Sequence, residues 1–308
     1  MHPDMSADTW QSLYPFPSRF MYICGNRYHY VDEGAGHPVI MVHGNPTWSF
    51  YYRNLINYLS SSCRCLAPDH IGCGLSDTPS PRTYGYRLAD RLRDLEVFID
   101  RLNLTEPFTL VVHDWGGMIG TAYAVRHPEA IRRMIVTNTA AFTKPQGKSL
   151  PFRLRLIREF AWFARPAILG FNLFSWLAAN GMGTVQPLPA AVKAGLTAPY
   201  NTPSNRIATL RFVQDIPLSP ADPSYPLVRE TADLLEVLSE KPMLILWGAK
   251  DFVFDSDYYD EWLRRFPGAQ AHLFNHAGHY LFEDVPREAF ACIGNFMNPQ
   301  HSPNTAQV

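Results

Sequence analysis

The chain has 308 residues, 46% of them hydrophobic, enough to bury a full core as one large domain or one domain carrying an insertion. Its 27 basic and 28 acidic residues nearly cancel, and no basic block stands out, which argues against a nucleic-acid partner and against a basic membrane-surface stripe. Five cysteines, an odd number with no C-x-x-C spacing, read as reduced and mostly buried thiols of a cytoplasmic protein rather than a disulfide framework.

In chain order, the start Met1-His-Pro-Asp-Met-Ser-Ala-Asp8 has no apolar run, so no signal peptide is expected. Apolar runs at 20–24 and 29–31 come without a helix between them, so the sheet should open with an antiparallel hairpin. A strand at 39–43 runs into His43-Gly-Asn-Pro46, and a helical pattern covers 51–59. The strand at 63–68 is followed by Asp69-His-Ile-Gly-Cys-Gly-Leu-Ser-Asp77. That segment holds an acid, a histidine and glycines, but it follows an early strand where turns are needed, and it reads as structural. A helix at 86–102 precedes the strand at 108–113, and further elements follow as helix 118–126 and strand 134–137. The alternation then lapses from about 141 to 204, a Pro-rich, aromatic stretch of helical pattern without a convincing strand. Its most apolar part, 160–179, is broken by Arg165-Pro166, which argues against a membrane span. Helix 227–238, strand 243–247, helix 257–266, strand 269–274 and helix 287–296 complete the pattern.

This alternation predicts an α/β fold with a mostly parallel, doubly wound sheet. The expected division is a first core part over 1–140, an inserted helical cap over 141–204 that closes a dry pocket, a second core part over 205–298, and a polar, disordered tail over 299–308.

The most informative segment is Thr109-Leu-Val-Val-His-Asp-Trp-Gly-Gly117. A buried strand ends at a turn from which Gly116, Gly117 and Gly120 open a helix, the layout of a nucleophile elbow. The turn residue is Asp114 rather than serine. A carboxylate is a weak acyl nucleophile, because the anhydride it forms is less stable than an ester. It is competent toward a saturated carbon bearing a good leaving group.

An alkyl ester on Asp114 then needs a base to activate water. Phe274-Asn-His-Ala-Gly-His-Tyr-Leu-Phe-Glu-Asp284 follows the last strand, and His279 is the candidate, with His276 its rival. The base needs an acid, either after the strand ending near Asn138 or after the strand at 243–247. The first site offers no carboxylate and the second offers Asp251, so Asp251 is assigned. Asp255 and Asp257 read as helix-start residues, Asp255 an N-cap. The backbone N–H groups of Asn45 and Trp115 are expected to form an oxyanion-hole pair, and with the helix start to keep Asp114 ionised. The Asn45 amide and the Trp115 indole add two neutral N–H donors, which suit a large diffuse anion such as chloride or bromide. His276-x-x-His279 comes nearest to metal-ligand spacing, but no carboxylate or cysteine accompanies it, so no metal is expected.

Taken together, Val-His-Asp114-Trp-Gly-Gly, His43-Gly-Asn-Pro, Asp251 after a late strand and Gly278-His279 resemble the haloalkane dehalogenases, α/β-hydrolases with a helical cap. The Asn45–Trp115 halide pair and the acid at Asp251 resemble subfamily III of that group. The likeness runs from about 16 to 296. Thr137-Asn-Thr-Ala-Ala-Phe142 and the segment 211–222 look like the β-lactone decarboxylases of bacterial olefin biosynthesis, members of the same subfamily. The resemblance implies displacement of halide by Asp114, halide held by Asn45 and Trp115, and ester hydrolysis by water that His279 and Asp251 activate, with no organic cofactor and no metal but with a bound halide. The same five residues would open a β-lactone and release an alkene and CO2. The implied partners are a small apolar halogenated or β-lactone substrate and either a second copy of the chain or an assembly with olefin-pathway enzymes.

Two other readings compete. An epoxide hydrolase needs lid tyrosines, and between 141 and 204 only Tyr200 is present, so a pair would have to recruit Tyr225 or another from outside. A hydrolase-fold binding module would lack one of Asp114, Asp251 and His279. The lid aromatics Phe160, Trp162, Phe163, Phe171, Phe174 and Trp176 would either line the pocket or form a docking surface.

Overall fold

A computed structural model describes residues 9–145 and 147–298. Eight strands form one sheet: β1 (Arg19–Ile23), β2 (Asn26–Glu33), β3 (His37–Val42), β4 (Cys63–Pro68), β5 (Phe108–Asp114), β6 (Ile131–Thr139), β7 (Met243–Gly248) and β8 (Gln270–Phe274), in the order β1-β2-β4-β3-β5-β6-β7-β8. The β1–β2 and β2–β4 pairs are antiparallel and every other pair is parallel. The opening hairpin turns through Cys24 (φ 48°) and Gly25 (φ 83°), two consecutive positive-φ residues of the kind a tight two-residue hairpin requires. Cys24 therefore belongs to the turn and not, as its place in an apolar run suggests, to the strand. It is also exposed, whereas Cys63, Cys65 and Cys73 are buried, and all five thiols are free.

The central strand β5 is buried at every residue, as a strand covered on both faces must be. One face packs under α2 (Leu88–Arg101) and α3 (Trp115–Arg126), through side chains such as Leu95, Phe98 and Ile119. The other packs under α1 (Arg53–Leu59) and the last helix, through Trp48, Leu55 and Ile293. From β3 the chain turns to β4 on one side, while its other neighbour is β5. The crevice beyond the C-terminal ends of β3 and β5 is thus the switch point where open α/β sheets bind ligands.

Between β6 and β7 there is no strand among the described residues. Five short helices, α4 (Phe152–Glu159), α5 (Ala161–Ala164), α6 (Leu173–Leu177), α7 (Ala190–Thr197) and α8 (Ile207–Gln214), lie over that crevice, and α9 (Tyr225–Leu234) returns to pack on α3. Wide turns at Arg165–Gly170 and Ala178–Met182 and positive φ at Asn172 and Gly181 break the layer into pieces. It has its own small core of Ala164, Ile168 and Leu210. Because α8 packs on α4, and Arg158 Nε donates to the Ile216 carbonyl over 3.0 Å, the layer continues past residue 204. The chain closes with α10 (Ser256–Arg265), α11 (Leu281–Asp284) and α12 (Pro286–Met297). The expected disordered tail and the first eight residues fall outside the described residues.

Candidate active site

β5 delivers Asp114 into the crevice at φ 52°, ψ −129°, a conformation that a non-glycine residue holds only when its surroundings enforce it. Thr139, at the end of β6, donates its hydroxyl to the Asp114 carbonyl. The close approach needs missing side chains. A Cβ on Gly44 would lie 2.1 Å from Asp114 Oδ1, one on Gly116 2.0 Å from the Val42 carbonyl oxygen, and one on Gly117 1.8 Å from Thr139 Oγ1. These contacts also explain why α3 starts at Trp115, three residues before the sequence pattern placed it. The glycines at its start carry no apolar signal but are what lets the helix close on the sheet.

The backbone N–H of Asn45 donates to Asp114 Oδ1 over 2.6 Å, and the Trp115 N–H also reaches the carboxylate. Burial nevertheless dominates and pushes the Asp114 carboxyl up to about 6, against the opposing pull of His279 and the two N–H groups. The group is ionised at neutral pH, with a narrower margin than two donors and a helix start alone suggest.

Asn45 and Trp115 present further donors. The Asn45 side-chain amide donates to the Thr209 carbonyl on α8 over 3.1 Å, which leaves its second N–H for a ligand. Exchanging its oxygen and nitrogen would set two oxygens against each other, so this orientation is the consistent one. Trp115 packs against Phe212 at 5.2 Å between ring centroids and lines the cavity. The indoles of Trp48, Trp247 and Trp262 all donate to backbone carbonyls, whereas that of Trp115 has no acceptor among the described residues.

His279 lies after β8 with Nε2 3.5 Å from Asp114 Oδ2 and Nδ1 2.7 Å from Asp251 Oδ2. Its rival His276 is largely exposed on the surface, 3.9 Å from Glu288. Burial alone would lower the His279 pKa, but the Asp251 and Asp114 carboxylates outweigh it and the net direction is upward. His113 donates Nε2–H to the His279 carbonyl over 2.9 Å, and burial holds its own pKa well below the usual histidine value, so it stays neutral.

Asp251 comes from the loop after β7. Its Oδ1 accepts the Val253 N–H over 2.7 Å, and its Oδ2 accepts both His279 and Asn138 Nδ2, the latter over 3.0 Å. Asn138 also brackets Gly248, accepting its N–H over 2.9 Å and donating to its carbonyl over 3.1 Å. In the sequence Asn138 counted only as the position without a carboxylate. The ends of β6 and β7 are adjacent in the sheet, which brings Asn138 beside Asp251. Thr209, which orients the Asn45 amide, and Thr139 carried no local signal.

These groups floor a cavity of ≈ 310 Å³ roofed by Leu150, Pro151, Leu154, Phe174, Met182 and Val213. Asp255 accepts the Asp257 N–H over 3.2 Å and caps α10. Asp69 is buried elsewhere, taking His29 Nδ1 at 2.7 Å and the Ser49 and Leu75 N–H groups, so it ties the 69–77 turn to its neighbours. Tyr200 is buried against Thr47 and does not line the cavity, and neither does Tyr225; Tyr258 and Tyr280, both from the core, do. Among the described residues no three His, Cys, Asp or Glu side chains converge to hold a metal ion. A buried carboxylate, two spare N–H donors and a carboxylate-held imidazole under an apolar roof can attack an electrophilic carbon, hold the departing anion and move a proton at Nε2.

Fold and site together define an α/β-hydrolase: residues 37–286 match the alpha/beta hydrolase fold family, and the chain belongs to it. Within that family it is 48% identical over 286 residues to the cis-3-alkyl-4-alkyloxetan-2-one decarboxylase of Shewanella oneidensis, across 93% of this chain and 90% of the relative. A protein of the same name from Xanthomonas campestris pv. campestris is 42% identical over 279 residues, covering 87% and 91%. The haloalkane dehalogenase of Mycobacterium marinum is 34% identical over 281 residues, covering 88% and 90%. The crystal structure of the ancestral haloalkane dehalogenase AncHLD2 superposes with a TM-score of 0.80 at 27% identity, over 92% of this chain and 100% of that one. The decarboxylases are thus more similar than these dehalogenases, the reverse of the emphasis the site residues alone suggest.

Proposed function

We propose that the protein converts a β-lactone bearing alkyl groups on both ring carbons, a 3,4-dialkyl-oxetan-2-one, into an alkene and CO2. The observation that carries this reading is the 48% identity to an oxetan-2-one decarboxylase over 93% of the chain. In the route the site favours, Asp114 Oδ forms a bond to C4 of the ring and the C4–O bond breaks with inversion. The ring oxygen leaves as a carboxylate, which the Asn45 and Trp115 N–H groups receive. The C2–C3 bond then breaks, CO2 departs, its electron pair forms the C3=C4 bond, and Asp114 leaves C4 as a carboxylate beside His279. Inversion followed by anti elimination turns a cis ring into a cis alkene, and no water or proton is consumed. A carboxylate suits this chemistry better than attack at the acyl carbon, which would give an anhydride.

A second reading, cleavage of carbon–halogen bonds with hydrolysis of the Asp114 ester, is favoured by the two uncharged side-chain donors of Asn45 and Trp115. The test is incubation with a cis-3,4-dialkyl β-lactone and, separately, with 1-bromohexane. Cis alkene and CO2 from the lactone, lost in Asp114→Asn, is the expected result. Bromide and hexanol release with an untouched lactone would overturn the first reading in favour of the second.

A further inference from the structure

We propose that the outer face of the helical layer is a docking surface for an anionic phospholipid membrane. Phe171 is 81% exposed, Phe152 and Trp162 76% each, and Trp176 53%, all on or between α4, α5 and α6. Such large aromatic side chains at the surface of one layer are an interaction signal rather than scattered exposure. Charge is segregated with them. Residues 141–200 carry seven basic side chains and one acidic one, Glu159, although the whole chain balances 27 against 28. The near-neutral total conceals this local asymmetry. Lys148 and Arg158 are engaged with Asp255 and Asp222, and Arg155 pairs with Glu159. Arg153 and Arg165 are exposed and have no acidic partner among the described residues.

Aromatic side chains alternating with arginines, as in Phe152-Arg153 and Trp162-x-x-Arg165, match a headgroup boundary, where rings enter the acyl edge and guanidinium groups pair with phosphate. An uncharged protein groove would match the rings but not the free arginines. Among the described residues no helix is long and apolar enough to cross a membrane, so the contact is peripheral. The same layer roofs the cavity through Leu154 and Phe174, so docking would set the roof against the phase in which a dialkyl substrate dissolves. Only that last step rests on the proposed function, and the binding test does not use activity.

The test is co-sedimentation of the full chain with vesicles of phosphatidylcholine alone or with one-third phosphatidylglycerol, read together with tryptophan emission. The chain is expected to bind the anionic vesicles with a blue shift and to ignore the neutral ones. Arg153→Gln and Arg165→Gln should each weaken binding about 5-fold. Trp162→Ser with Phe171→Ser should weaken it by about 10-fold or more while thermal unfolding is unchanged. No binding to anionic vesicles, binding indifferent to lipid charge, or variants that bind like the parent would overturn the proposal. So would a dimer, dispersed by the aromatic double variant, in a chain that ignores vesicles. That result would make the face a contact between two copies.

Discussion

His279 and Asp114 face each other with Nε2 3.5 Å from Oδ2, at the outer edge of hydrogen-bond reach, each moving the other's protonation. The histidine lowers the Asp114 pKa against burial, and the carboxylate raises that of the histidine. Once Asp114 becomes an ester its charge is gone. Burial then weighs more heavily on His279 and shifts it toward the neutral form. The charge states of the two side chains are in this way tied to one another.

The first consequence is a pH profile. Asp114 must be ionised to attack, and its pKa is pushed to about 6, so kcat/KM should fall as pH drops through about 6. The apparent value belongs to the pair rather than to Asp114 alone. His279→Gln removes the partner that lowers Asp114, so the acid limb of ester formation should move to higher pH. A limb near pH 4 in the parent would show that burial does not raise Asp114, and one that His279→Gln leaves in place would show that the two groups are not coupled.

The same buried charge works against stability. The folded pKa of about 6 lies above the ordinary aspartate value of 3.8, so between those values the folded state holds more protons than the unfolded one, and stability falls as pH rises. Asp114→Asn should therefore stabilise the fold at pH 7 by up to about 3 kcal/mol, with the gain vanishing below about pH 4. Chemical denaturation of both proteins at pH 7 and pH 4 measures it. A destabilised variant at pH 7 would mean that the N–H groups of Asn45 and Trp115 already compensate the burial.

Trp115→Phe fills similar space and deletes one donor. Turnover should drop by roughly 10²–10³, on the order of 2–4 kcal/mol of transition-state stabilisation, with unfolding unchanged. Full activity would remove the indole from the mechanism.

The succession of strands and helices and the nucleophile turn were legible in the sequence because they rest on local pattern: apolar runs such as 108–113, the hairpin before β3, and glycines at 116, 117 and 120 that only a close approach explains. Contacts made across strands were not. Asn138 and Asp251 are 113 positions apart, and their 3.0 Å hydrogen bond follows from the adjacency of β6 and β7, which no local pattern encodes. Thr209 reaches Asn45 only because α8 joins the covering layer, and the short, kinked helices of that layer lack the long periodicity that makes α2 or α12 readable.

That contact makes Asn138 and Asp251 a paired test. Asp251→Asn removes the carboxylate that holds His279 Nδ1–H and should slow ester hydrolysis by about 10³-fold or more. Asn138→Asp does not supply a spare acid. It sets a second carboxylate 3.0 Å from Asp251 Oδ2 and loses the donation to the Gly248 carbonyl. Like charges that close raise one pKa, so Asn138→Asp should also lose activity, and more steeply with rising pH. A gain of activity in Asn138→Asp, or rescue of Asp251→Asn by it, would mean that the two strand ends are interchangeable here.

The last prediction separates the two chemistries on one variant. Asp114 needs no proton removed before it attacks, so His279→Phe should still form an alkyl ester with 1-bromohexane, release one equivalent of bromide and stop. Mass spectrometry should find the adduct on the peptide containing Asp114. With a cis β-lactone the outcome differs, because loss of CO2 expels Asp114 without water. The variant should then turn over repeatedly, slowed by the missing imidazolium beside the departing carboxylate but not arrested. In the parent, H₂¹⁸O should label Asp114 during bromoalkane turnover and leave it unlabelled during lactone turnover. Heavy oxygen in Asp114 after lactone turnover, or a lactone adduct that His279→Phe cannot clear, would show that water opens the intermediate. Attack at C4 followed by elimination would then give way to a hydrolytic route.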